Sequence, residues 1–263
     1  MSAVDVRRAA ILLLLAGVGT RLDARAAAAA VELRFSTSAP AAALPDSWQF
    51  QAPSRESPKT RIDLVADGAD TVLRAYSDRT AGALAHTLDL PPATTLAWRW
   101  KIDQVVAKAD LHTRGGDDFA ARLYVVFDVP PRALSFGEHM KWRLGRMLYH
   151  ADLPTAALCY VWDNRNPIGT IAPSAFTDRV HLIVLQSGNA HAGEWREERR
   201  DLGADFSAAF HTPPPRITGV ALGNDGDNTH SEVTAWFGDL VFTPTPTIPA
   251  QTGAGAPQND SLP

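Results

Sequence analysis

Oxygen-bearing side chains crowd the stretch Asn224-Asp225-Gly226-Asp227-Asn228-Thr229, with a single glycine among them. Calcium takes hard oxygen ligands of this kind, completed by carbonyls, so Asp225, Asp227 and Asn228 form a candidate metal set for a structural calcium ion. An EF-hand loop is excluded, because position twelve counted from Asp225 is Trp236, which carries no carboxylate. The competing reading is an Asx-rich turn between two strands, in which Asn and Asp bond their own backbone and Gly226 takes positive φ. The turn is the preferred of the two.

A second acidic stretch, Gly115-Gly116-Asp117-Asp118, stands at the entrance to Phe119-Ala120-Ala121-Arg122-Leu123-Tyr124. Paired carboxylates serve as acid and base or bind a cation. Neighbours on an extended strand point to opposite faces, however, and share one task only across a bulge, so one of the two is expected to pair with Arg99 or Arg122. Glycoside hydrolysis asks for two carboxyls about 5 to 10 Å apart in a cleft, and Asp118 with Asp227 or Glu198 is the candidate combination. Tryptophan faces complement a pyranose ring, and the chain offers Trp98, Trp100, Trp162, Trp195 and Trp236. Trp98 and Trp100 share a face with Leu96 and Ile102 and belong to the core, whereas Trp162, followed by Asp163-Asn164-Arg165-Asn166, is the candidate for a rim. The candidate ligand-binding set is therefore Arg99, Lys101, Asp117, Asp118, Arg122, Tyr124 and Trp162. The eight histidines include no pair at metal spacing, and no Gly-x-Ser-x-Gly elbow, phosphate loop or Cys-x-x-Cys is present.

Strands must hold these groups. Leu123, Val125 and Phe127 alternate with Arg122, Tyr124 and Val126, and Leu96, Trp98, Trp100 and Ile102 alternate with Arg99, Lys101 and Asp103. Both runs show the period of two that a strand with unlike faces requires. Further runs are expected at Val31–Ser36, Arg61–Val65, Thr71–Tyr76, Ala83–Leu90, Ala157–Asp163, Val180–Leu185, Glu194–Leu202, Ile217–Gly223 and Glu232–Phe242, with a hairpin turn at Asp67-Gly68-Ala69-Asp70. Such spacing predicts an all-β chain, an antiparallel β-sandwich or jelly roll, rather than alternating βαβ units. One inserted amphipathic helix is expected over 135–150, where Phe136, Met140, Leu144, Met147 and Leu148 recur at helical spacing and Ser135 with Glu138 makes a capping box. Gly203 to Phe210 is expected to form one helical turn.

With 45% hydrophobic and 21% charged residues and a net charge of −4 over 263 residues, the composition is ordinary for a soluble domain and shows no sign of nucleic-acid binding. Residues 1–30 read as a signal peptide: Arg7 and Arg8, an apolar run from Ala9 to Gly19, then Ala-rich sequence with cleavage after Ala26 or Ala30. The run is too short to span a bilayer stably, so a periplasmic or secreted protein with no transmembrane span after leader removal is expected. A single domain over 31–242 and a disordered tail over 243–263 follow from the same reading. The one cysteine, Cys159, rules out an intramolecular disulfide and sits in an apolar strand, where a buried inert thiol is expected.

Several blocks occur in one order: Trp98-Arg99-Trp100-Lys101, Asp117 to Arg122, Tyr160-Val161-Trp162, Trp195 through Arg199 to Asp205, Gly223 to Thr229, and Trp236-Phe237-Gly238-Asp239. Together they resemble the bacterial family catalogued as domain of unknown function 3047, over roughly Val31 to Phe242. The resemblance implies an exported, jelly-roll-like protein similar in outline to galactose-binding and carbohydrate-binding sandwiches, and carries no catalytic residues with it. The leading expectation is a non-catalytic module that binds a carbohydrate or other cell-envelope ligand. The alternatives are a glycan-acting enzyme using Asp118 and a second carboxylate, and a structural envelope protein in which Arg99, Lys101, Asp118 and Arg122 form a salt-bridge network.

Overall fold

The structure, a computed structural model, describes residues 29–52, 58–129 and 155–245. The expected leader, the helix over 135–150 and the expected tail lie outside the described residues, apart from positions 29–30 and 243–245. The strands run in the order β1 (Val31–Leu33), β2 (Trp48–Gln51), β3 (Arg61–Asp67), β4 (Asp70–Asp78), β5 (Ala81–Leu90), β6 (Thr94–Ile102), β7 (Arg122–Asp128), β8 (Thr155–Asp163), β9 (Ile171–Ser174), β10 (Thr177–Ser187), β11 (Arg196–Asp201), β12 (Ile217–Asp225), β13 (Glu232–Phe237) and β14 (Leu240–Pro244). They form two seven-stranded sheets. One runs β1-β14-β6-β13-β4-β3, with β11 on the other edge of β6; the second runs β2-β5-β12-β7-β8-β10-β9. The expected sandwich is present, antiparallel throughout its named strand pairs except where β8 and β10 pair in parallel.

The inner faces meet as the alternation demands. Leu96, Trp98, Trp100 and Ile102 pack with Leu123, Val125, Phe127 and Tyr160 in one buried cluster. The Trp98 ring meets that of Tyr160 across the gap, tilted by 38° with centroids 5.5 Å apart. The opposite faces of β7, β8, β10 and β12 are apolar too: Tyr124, Val126, Cys159, Val161, Leu182, Val184 and Ala221 form a second buried cluster with Leu111 and Phe119 from the 103–121 connection. Thus β7 is buried on both sides, and a polar residue on its outer face needs partners there.

Local chemistry explains where the strands turn and break. Asp67 pairs with Asp70, leaving a two-residue hairpin loop whose Gly68 takes φ +63°, the conformation glycine adopts without a Cβ clash. The single strand expected over Glu232–Phe242 is two, because Gly238 N–H turns to the Arg99 carbonyl (2.9 Å) and the Asp239 carboxylate accepts from the Phe35 and Ser36 amides at 2.8 and 3.0 Å. β13 and β14 consequently share one edge of β6 end to end. Two short strands lacked a legible signal; β9 contains Pro173, which an edge strand tolerates but which argues against a strand in sequence. The expected helical turn is the nine-residue helix α1 (Leu202–Phe210), capped by Asp201 accepting from Ala204 N–H at 3.0 Å. Among the described residues, no helix is long and apolar enough to cross a membrane.

Candidate functional site

Arg122 opens β7 and points to the outer face of the second sheet, where it is 5% exposed. Four of its five N–H groups meet fixed acceptors. Nε donates to Asp225 Oδ1 (2.8 Å), Nη2 to the Asp117 carbonyl (2.5 Å) and Asp225 Oδ2 (2.7 Å), and Nη1 to the Tyr124 hydroxyl (3.2 Å). The guanidinium also lies 4.6 Å from the Phe119 ring centroid. Asp225 reaches this place because it ends β12, paired with β7, and its Oδ1 further accepts from Phe119 N–H at 2.8 Å. Burial pushes the Asp225 carboxyl well above its ordinary range; Arg122 opposes this, while Asp118 and Asp117 add to it. Burial likewise raises the Tyr124 hydroxyl, and pushes the Cys159 thiol up to about 12, so Cys159 is the inert thiol expected.

Asp118 is wholly buried and belongs to the neighbouring loop rather than to Arg122. Its Oδ2 accepts from Thr229 N–H and Oγ1–H, both at 2.6 Å, and its Oδ1 from the Asn228 side-chain amide at 3.0 Å. The loop between β12 and β13 is closed from within as well, Ser231 N–H donating to the Gly226 carbonyl at 2.8 Å. Gly226 is required by close approach, since a Cβ there would run into the Ser231 carbonyl. The expected positive φ falls on His230 (58°) instead.

These positions correct the candidate sets. Asp117, Arg122 and Tyr124 converge with Asp225, Asp227 and Asn228 around one cavity of about 110 Å³. Trp162 does not stand at a rim: it is 1% exposed, packs 6.1 Å from Trp100 and donates its indole N–H to the Gly188 carbonyl at 3.0 Å. Its face was readable, because Leu158, Tyr160 and Trp162 share the core side of β8. Arg99 and Lys101 lie on the outer face of the other sheet. There Arg99 pairs with Asp70 (2.5 Å) and Lys101 with Asp67 (3.0 Å), and both cations lie within 5 Å of the Trp195 ring. The single network of Arg99, Lys101, Asp118 and Arg122 is therefore two separate ones. Of the metal candidates, Asn228 turns its amide donor inward and is replaced by Asp118, whose carboxylate oxygens come within 4.8 Å of those of Asp225 and Asp227. Oxygen ligands suit calcium, but the oxygens of Asp118 and Asp225 already accept from Asn228, Thr229, Phe119 and Arg122. Asp118 is likewise no acid–base candidate, being sealed from solvent; Glu198 lies on β11 of the other sheet.

The rest of the cavity wall gave no sequence signal. Ala83 from β5, Val180 and Leu182 from β10, and Ser174, Phe176 and Thr177 around the β9–β10 turn line it. Only the pairing of distant strands brings them beside Arg122.

Fold and site together define a two-sheet β-sandwich with a small acidic cavity on one outer face. The chain belongs to the family described as protein of unknown function DUF3047, whose model matches residues 46–241. A comparison with curated proteins finds no match. Among solved structures, it is similar to the K1 cleaved adhesin domain of Lys-gingipain from Porphyromonas gingivalis (13% identity, 83% of this chain and 99% of that one, TM-score 0.36). It is also similar to the xyloglucanase domain of NopAA, a type three effector from Sinorhizobium fredii, in complex with cellobiose (10%, 77% and 94%, 0.40). A third similar structure is the lectin UEA-II complexed with galactose (9%, 82% and 98%, 0.40). Likenesses at this level carry no argument about this chain's ligand.

Proposed function

We propose that this protein is an exported, non-catalytic β-sandwich that binds a carbohydrate or other polyhydroxylated cell-envelope ligand in the Arg122 cavity. One observation carries the reading: a cavity that joins the polar groups of Asp117, Tyr124, Asp225 and Asn228 to an apolar and aromatic lining of Ala83, Phe176, Val180 and Leu182. A sugar presents that pairing, with hydroxyl donors around the ring and an apolar face for Phe176. The volume, about 110 Å³, gives room for several water-sized groups, the scale of one sugar unit. Pre-organisation favours binding, since Arg122 and Asp225 need not be reordered when a ligand enters. Catalysis is disfavoured by the sealing of Asp118.

Calorimetric titration with neutral and charged monosaccharides tests the proposal. Phe176→Ala should weaken binding by about tenfold or more through loss of the stacking wall, with a smaller cost in melting midpoint than truncating a core aromatic because Phe176 is only partly buried. Sugar binding that is indifferent to Phe176→Ala would contradict it. Export rests on the Arg7-Arg8, apolar-run and Ala-rich order; an intact Met1 on protein purified from its native cell would contradict that part.

A further inference from the structure

We infer that the Arg122 cavity selects a ligand bearing a protonated amine, an amino sugar with a free ammonium group, over neutral sugars and against acidic ones. The inference rests on the carbohydrate-binding reading and adds to it the charge of the ligand.

The charge balance of the wall is the first observation. Asp117, Asp225 and Asp227 face the cavity, and among its described lining residues Arg122 is the one cationic side chain. Asp117 and Asp225 both draw on the single Arg122 guanidinium, so that pair of carboxylates is short of positive charge.

The second observation is an orphaned acceptor. Asp117 Oδ1 is buried and has no hydrogen-bond partner, and the whole Asp117 side chain is 10% exposed. Arg122 Nη2 lies 3.3 Å away, but its two N–H groups go to the Asp117 carbonyl and to Asp225 Oδ2. The guanidinium therefore lends Asp117 Oδ1 its charge but no proton. A buried carboxylate oxygen left in that state costs desolvation energy without return. A ligand donor restores the bond, and a charged donor forms it about twice as strongly as a neutral one.

The shape of the wall separates an ammonium group on an organic body from a bare ion. A metal ion would use the carboxylates and leave Ala83, Val180, Leu182 and Phe176 facing water, whereas a sugar ring covers them. An acidic sugar would set a further negative charge beside the Asp117 and Asp225 carboxylates, a like-charge contact that Arg122, already shared between those two, offsets only in part.

The experiment is calorimetric titration of the full chain, at low and moderate salt, with glucosamine hydrochloride, glucose, N-acetylglucosamine, glucuronate and calcium chloride. Glucosamine should bind about tenfold or more tighter than glucose and N-acetylglucosamine, glucuronate should bind weakest, and the preference should narrow as salt rises. Asp117→Asn should cut the ratio of glucosamine to glucose affinity to about threefold or less. If Asp117→Asn does not fold, Asp117→Ser takes its place with the same expectation. Glucose or glucuronate binding as tightly as glucosamine overturns the charge selectivity and leaves the sugar-binding reading intact. Calcium binding in the absence of any sugar binding, or no binding at all, overturns both.

Discussion

Glu198 illustrates how a single half-buried carboxyl can be structural while its chemistry looks catalytic. Its Oε1 accepts from the Trp100 indole N–H at 3.2 Å and from Gln186 at 2.7 Å, tying one sheet to the other. Burial raises its pKa against those two hydrogen bonds. A carboxyl whose folded pKa exceeds its unfolded one holds its proton more tightly in the folded state, so this contribution to stability falls as pH rises through that range. Glu198→Gln keeps a carbonyl acceptor and removes the charge. It should raise the midpoint of denaturation at pH 7 by an amount worth under about 1 kcal/mol after solvent screening, and the two proteins should converge below about pH 4. A variant less stable than the parent at pH 7 and indistinguishable in its pH dependence would contradict this. At the same scale, the sequence revealed which way Arg122, Tyr124 and Trp100 face, because strand alternation decides that locally. It could not reveal that Asp118 is capped by Thr229, a partner 111 positions away. Trp162 was misplaced for a different reason: the polar run Asp163-Asn164-Arg165-Asn166 outweighed the alternation with Tyr160, although Asp163 is itself buried and accepts from the Asn166 side chain at 2.6 Å.

The elements around the site show why a motif in sequence differs from a site in space. The loop from Gly226 to Ser231 looked like a self-contained turn or ion loop. It is instead part of the cavity wall, held by Asp118 from the entrance of β7 and preceded by Asn224, whose amide donates to the Ala75 and Val233 carbonyls of the facing sheet at 2.9 and 3.1 Å. Donors from Asn228, Thr229 and Arg122 take the places a cation would fill. The melting midpoint should therefore be the same in millimolar calcium and in chelator, while Asp118→Ala should cost about 1 to 3 kcal/mol by stranding buried donors. Thermal scans of both proteins check this, and a parent midpoint that falls in chelator would restore the metal. Long alternating strands such as β6 and β7 were legible because each buries a full face. β2, β9 and the break between β13 and β14 were not, being short or set by partners such as Arg99 and Phe35 that sequence does not place nearby.

At the scale of the molecule, the sandwich separates two charged regions that the sequence suggested were one. The Arg99–Lys101–Trp195 face closes its charges on Asp67 and Asp70, whereas the Arg122 region encloses space and keeps an unpaired acceptor. Nothing in composition distinguishes them; the difference arises from which strands lie beside β6 and which beside β7. The central claim is that ligand enters beside Arg122, and amide chemical-shift mapping during a glucosamine titration of the isotope-labelled protein tests it most directly. The account predicts saturable shifts at Asp117–Tyr124, Phe176–Thr177 and Asp225–Thr229, with the Arg99–Lys101 and Trp195 amides unmoved. Shifts confined to the Arg99–Lys101–Trp195 face, or none at any sugar concentration, would contradict it.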